Sequence, residues 1–268
     1  MLTLIKKTIY LHRKKFIAIS SICLLMIWMF VAIFPSIQQE ASEMSKLIES
    51  YPESFLKAFG IEGTALFTEF ESFLCVEYYS LMWPLLSIIL IISLGASAIA
   101  GEMDDKTMDF LLSQPISRVK IYISKYISGL FTVLSFIFLS IITIIPIAKF
   151  YDIEVHLSNY FAISMLSILF SWAIYSLSFM ISSFSSSKSL PSSISAGVIV
   201  IMYSANLVAS LKESLENLKY ISYFYYFDYR AALLDNEISL ESVIFFGTSI
   251  ILFTLIGFWI FKKRDVAV

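Results

Sequence analysis

Six charge-free apolar runs, each about as long as a bilayer is thick, constrain this 268-residue chain more than any other feature. They cover residues 16–37, 79–100, 126–148, 161–184, 190–211 and 243–261, and none contains Asp, Glu, Lys, Arg or His. A helix rises ~1.5 Å per residue, so about 20 residues match a hydrocarbon core of ~30 Å. Strands rarely exceed ~10 residues, so length selects helices where periodicity cannot. Lipid offers no partner for unpaired backbone groups, which leaves an all-α bundle of six transmembrane helices as the expected form. Composition agrees: 58% of residues are hydrophobic, 15% are charged and the mean hydropathy is +0.81. A soluble domain carries about 25% charged residues. Pro35, Pro84, Pro146 and Pro191 all fall near run ends, where a lost helix hydrogen bond costs least.

The charges between the runs give orientation. With both termini in the cytoplasm, 13 Lys and Arg lie inside and 6 outside, while acidic residues divide 5 inside and 16 outside. The inner side then sums to +8 and the outer to −10. The positive-inside rule therefore predicts a multi-pass plasma-membrane protein with both termini cytoplasmic. The first run is longer than a signal-peptide core and lacks an A-x-A cleavage site, so it is read as a span.

Four connecting segments have character of their own. Residues 1–15 place Leu2, Ile5, Ile9 and Phe16 near one helical stripe with cations elsewhere, which predicts an interfacial helix that turns into the first span. Residues 38–78 hold eight Glu against two Lys, and Pro52 and Gly60 bracket a short predicted helix over 52–59. The eight carboxylates read as a solvated outer face, or as an attractor for a cationic ligand. Residues 212–242 collect Tyr220, Tyr223, Phe224, Tyr225, Tyr226, Phe227 and Tyr229. That aromatic segment suits either an interfacial anchor or an interface-lying stretch closing the outer end of a path.

Residues 101–125 form the longest inner loop. Glu102 stands four before Lys106, the favourable order for a helical ion pair, and Met108, Leu111 and Leu112 make a short apolar face before Pro115. A bare connector needs only ~2–8 residues. A helix over 102–113, acidic on one side and apolar on the other, is suited to docking on another protein.

Several chemistries are absent from the sequence. None of the eight glycines precedes a lysine, so there is no P-loop for ATP. HExxH, GxSxG and paired membrane aspartates are missing, and His12 and His156 fall on opposite faces, so no metal site or catalytic residue is expected. Ion-coupled carriers usually need a buried ionisable group, which these spans lack. What the spans do offer is small and hydroxyl residues: Ser93, Ser97 and Gly101 at four-residue spacing, Ser178, Ser182 and Ser186 likewise, and the lone amide Asn206 of the fifth run. Small faces usually mean close helix packing. Ser93, Ser97 and Asn206 are also candidates to line a weakly polar pathway.

The order of features resembles the ABC-2 type transporter permeases. The resemblance rests on Tyr51-Pro-Glu-Ser-Phe-Leu-Lys-Ala-Phe-Gly60, Gly101-Glu102, Lys106-Thr107, Leu111-Leu112-Ser113-Gln114-Pro115-Ile116-Ser117-Arg118, Lys125 and Phe261-Lys-Lys-Arg-Asp265. Lys106 stands where that family often has Gly. The resemblance implies the transmembrane subunit of an ATP-binding-cassette exporter, with no cofactor of its own. Two copies of a separate ATPase would bind ATP and Mg and drive a dimer of permease chains, identical or paralogous. It makes 102–113 the coupling helix, with Glu102, Asp105, Thr107, Met108, Leu111, Leu112, Pro115 and Arg118 as the ATPase-coupling residues. Arg118 is expected at a lipid phosphate or an acidic site, and Leu111 in a groove of the ATPase. The rival readings are a membrane assembly or immunity protein without a transport cycle, and an ATP-independent uniporter or channel.

Overall fold

A computed structural model describes residues 1–41 and 69–264 of the chain. The predicted helix at 52–59, most of the eight-Glu segment and Asp265 lie outside the described residues. Among those described there is no strand, and six helices are long and apolar enough to cross a membrane. They are α1 (Leu2–Gln39), α2 (Phe70–Ala98), α5 (Arg118–Phe150), α6 (Asn159–Phe184), α7 (Ser189–Leu211) and α9 (Leu240–Lys263). Two short helices, α3 (Ala100–Asp104) and α4 (Met108–Ser113), link α2 to α5. A 3-10 stretch (Glu213–Ile221), the single turn α8 (Tyr223–Tyr226) and a π turn (Ala231–Asp235) link α7 to α9. One end of the bundle carries the N-terminus, α3, α4, the α6–α7 loop and Lys262 to Arg264, and is here called the basic end. The opposite, acidic end carries the α5–α6 and α7–α9 links.

The chain is one multi-pass membrane bundle built around α6, which touches α2, α5, α7 and α9. Its close approaches are made by small residues, as packing in lipid requires. A β-carbon added at Gly95 of α2 would sit 2.7 Å from Ser178 Cβ, and one at Gly257 of α9 would sit 3.0 Å from Met180 Cα. Ser178 and Ser182 add hydrogen bonds to this contact: Ser178 Oγ donates to the Ile92 carbonyl (3.3 Å) and Ser182 Oγ to that of Ala96 (2.8 Å). Ser182 Oγ also accepts from the Ile99 and Ala100 amides (3.1 and 2.9 Å), the two donors freed where the helix breaks between α2 and α3.

Local irregularities follow from named residues. Proline lacks an N–H and crowds the carbonyl four residues earlier. Pro84 accordingly follows a π-helical stretch, Cys75–Met82, and Pro146 follows a break in α5 at Thr143. The π turn carries Cys75, Tyr78 and Tyr79 into the core, where Tyr78 OH meets Cys23 Sγ of α1 at 3.1 Å. Cys75 therefore lies within α2 and is buried, although the apolar run of that span begins only at residue 79.

The expected turn near residue 15 is absent. α1 is one 38-residue helix, about 57 Å long at the usual rise. No Gly or Pro interrupts it before Pro35, and burial runs along its length, from Leu4 and Thr8 to Ser20, Cys23, Ile27, Val31 and Phe34. Lys15 is held at the start of the apolar run by donating to Ser93 Oγ of α2 (2.8 Å).

At the acidic end the aromatic segment turns inward. Phe227 stacks on Trp83 (5.6 Å between centroids) and lies against Phe170 (4.5 Å), and Tyr226 stacks on Phe245 of α9 (3.9 Å). Trp83 Nε1 in turn donates to Ser140 Oγ (2.9 Å). These rings close the end of this chain's own bundle, while Tyr220 stays outside.

Candidate functional site

The inner-loop motif folds into a compact, strapped projection at the basic end. Its first half is a helix stop. α3 ends in a Schellman turn: Thr107 N donates to Glu102 O (2.8 Å) and Lys106 N to Met103 O (3.1 Å). That turn needs a left-handed residue at its centre, and Lys106 occupies it with φ 55°. Glycine adopts this conformation without the β-carbon clash. The departure from the family pattern at Lys106 thus falls on the one backbone position of the loop that favours glycine.

Glu102 does not pair with Lys106 as the helical spacing suggested. The left-handed turn takes Lys106 off the helix, and the Glu102 carboxylate accepts instead from Lys125 Nζ of α5 and from Thr107 Oγ1. Lys125 is buried, so this ion pair replaces its water and fixes α3 to α5. Burial pushes the Glu102 carboxyl up, but Lys125 and the two hydrogen bonds outweigh it, and the group is held below the usual carboxylate range.

The second half, α4, sorts its residues by face. Met108 is 1% exposed and Leu111 6%, and both belong to this chain's own core, with Leu112 packed partly against it. Phe110 points away and is 64% exposed, between exposed Asp109 and the exposed end Ser113-Gln114-Pro115. Leu111 is therefore not available for an outside groove. Positions 108 and 111 share one helical face and 110 lies across from it. The sequence named Leu111 because 108, 111 and 112 looked like one stripe; Phe110 went unnamed because nothing local tells which side of a six-residue helix meets the bundle.

Both ends of the projection are anchored. Asp104 and Asp105 approach Lys188 Nζ of the α6–α7 loop at 3.6 and 3.4 Å. Past Pro115, Ser117 caps α5, and Arg118 Nη1 donates to the Arg264 carbonyl at the end of α9. Arg118 is thus engaged within the chain rather than at a head group.

The candidate pathway residues do not come together. Ser93, Leu85 and Ile89 of α2 face Ser192, Val200 and Tyr203 of α7 across an apolar groove of about 540 Å³. Ser97 instead bonds back to the Ser93 carbonyl (2.6 Å), a local habit of helical serine. Asn206 is half-buried on α7 and is not among the groove-lining residues. At the acidic end Glu71 is buried and accepts from the His156 amide (3.1 Å), so this member of the eight-Glu set is not a solvated face. No group of three His, Cys, Asp or Glu with metal-site geometry occurs among the described residues.

Six apolar spans, a serine-laced bundle and a strapped loop carrying the Glu-x-x-x-Lys-Thr and Pro-x-Ser-Arg elements define a membrane-transporter subunit. The chain belongs to the ABC-2 family of transporter proteins, whose family model matches residues 4–266. It is a permease component of an ABC-type transporter. No curated protein matches it in sequence.

Proposed function

We propose that this chain is one of two permease subunits of an ATP-driven exporter, and that the 102–113 projection seats on a separate ATPase. One ATPase copy serves each permease, ATP and Mg being held on the ATPase. The basic end then faces the cytoplasm with both termini, as the charge asymmetry favours. The substrate path runs between the two permease chains.

One observation carries this reading. An exposed aromatic ring, Phe110, stands on a short helix whose other side is locked into the bundle by Met108 and Leu111, just after α3, which the Glu102–Lys125 pair fixes to α5. A large apolar side chain presented on a rigid base, beside exposed Asp109 and in a loop that also exposes Asp104 and Asp105, has the anatomy of an interface anchor in polar surroundings. Its burial in a partner's apolar groove contributes roughly 1.5–3 kcal/mol per copy. A push on Phe110 cannot be absorbed by α4 alone, because α4 is fastened on its inner face.

The direct test is copurification of this chain, membrane-extracted, with an ABC-type ATPase from the same cells. The expected result is a complex that turns over ATP, while the permease alone does not. Recovery of the permease without any ATPase would count against the reading and favour a membrane protein with no transport cycle. Substantial ATP turnover by the permease alone would also contradict it.

A further inference from the structure

The Lys-Lys-Arg stretch that closes α9 has no part in the reading above, yet the structure gives its arginine a specific task. Arg264 Nη1 donates to the carbonyls of Ser183 (3.1 Å) and Ser185 (2.9 Å), and Nη2 to Ser186 Oγ (2.8 Å). These groups lie where α6 ends, and the last carbonyls of a helix have no partner within it. The planar guanidinium reaches all three at once, which a lysine ammonium does not. The same residue's own carbonyl accepts from Arg118, the first residue of α5 after the projection. The exit of the projection is thereby fastened through Arg264 to residues 183–186. Its entry is fastened to the next residues of the same loop, through Asp104 and Asp105 to Lys188.

We propose that Arg264 is a positioning residue that makes the last residues of α6 and the α6–α7 loop, residues 183–188, the receiver of any movement of the coupling projection. This rests on the ATPase-driven reading given above. A cap for α6 would need only a cation near its last carbonyls; it would not need the second link from Arg118 to the capping residue's backbone. With both ends of the projection held to one short loop, displacement of the projection carries the loop, and with it the start of α7 and the end of the central helix α6. The two fastenings differ in strength. The Lys188 pairs are exposed and worth little, whereas Arg264 makes three hydrogen bonds, two of them partly buried. The Arg264 side is therefore the one that transmits.

The test uses the full chain in nanodiscs with its copurified ATPase. Nitroxides are placed through Ser113→Cys at the end of α4 and Ser187→Cys in the loop; Ser113 is exposed and Ser187 partly so, while native Cys23 and Cys75 are buried. Electron–electron distances are measured without nucleotide and with ATP plus vanadate. In the parent the Ser113–Ser187 separation should hold through the cycle, because the two elements move together. In Arg264→Ala the separation should shift on adding nucleotide, with a distribution about twofold broader, as expected when one fastening of a surface element is cut. Arg118→Ala, which spares the cap on α6, should do the same and serves if Arg264→Ala does not accumulate. Lys188→Ala should change less than either. A separation in both arginine variants that stays as narrow and as nucleotide-independent as in the parent overturns the proposal. So does a lowered melting temperature with no nucleotide-linked shift, the result expected of a cap alone. If no ATPase copurifies with the parent, the exporter reading fails on that ground; the width of the distribution on the permease alone still reports whether Arg264 fastens the projection.

Discussion

At the basic end of this bundle the helices stop on charges and hydroxyls, and at the acidic end they stop on rings. α3 is tied by Glu102 to Lys125, α6 is capped by Arg264, and α9 is capped by Arg118. Across the membrane, Phe227, Trp83, Phe170 and Tyr226 fill the space between helix ends with stacked aromatic surface. The two solutions differ in what they allow. Ring packing is non-directional and insensitive to pH, and suits a seal. Directional ties between named atoms set where one element sits relative to another, and suit a part that has to be pushed.

The comparison breaks most sharply at the ion pair. Glu102→Ala leaves Lys125 buried without its carboxylate, and removing one partner of a buried pair costs about 3–5 kcal/mol. Thermal unfolding of the purified permease should show it, and Glu102→Ala with Lys125→Met should recover much of the loss, because an apolar replacement for the whole pair is tolerated. A single variant as stable as the parent would mean that the pair holds nothing in place.

At the other end the matching change is Phe227→Ala, which opens a cavity beside Trp83 and Phe170. The expected loss is about 3 kcal/mol, read by the same unfolding. Acid separates the two ends. A carboxylate held low contributes its full stabilisation above the ordinary carboxylate range and loses it as pH falls through its own lower value. Below that range, amide exchange at Thr107 and Leu111 should quicken while the amides of the aromatic seal at Phe227 stay protected. Uniform loosening of both ends would blur the distinction drawn here.

A smaller effect is expected at the turn between α3 and α4. Lys106→Gly removes a left-handed strain of about 1 kcal/mol and should raise the melting temperature slightly. A fall would show that the Lys106 side chain contributes more than its backbone costs.

Much of this was legible in the sequence. Six spans followed from run length, and the close packing of Ser178 and Ser182 from small-residue spacing. The helical inner loop followed from its length and pattern, and the family from its motif. What was not legible depends on tertiary position. Leu111 and Phe110 are neighbours on a six-residue helix, and only contact with the bundle decides which is buried. The partner of Glu102 changed from Lys106 to Lys125 because a left-handed residue intervenes, which spacing arithmetic takes as helical. Arg118 and Arg264 are 146 positions apart, beyond the reach of any local pattern. The turn expected at residue 15 failed for another reason: charge content located the membrane boundary, but charges do not end a helix.

The central claim is that α4 offers its outer face, not its inner one, to an ATPase. Phe110→Asp and Leu111→Asp separate the two when permease level and copurified ATPase are measured together. Phe110→Asp should leave the permease at its normal level, since the side chain is 64% exposed, and reduce ATPase recovery by more than about tenfold through lost burial and a charge placed in the groove. Leu111→Asp should lower the amount of folded permease, because that side chain is 6% exposed within the chain's own core. Full ATPase recovery with Phe110→Asp, or a normal permease level with ATPase lost in Leu111→Asp, would contradict this account of the coupling surface.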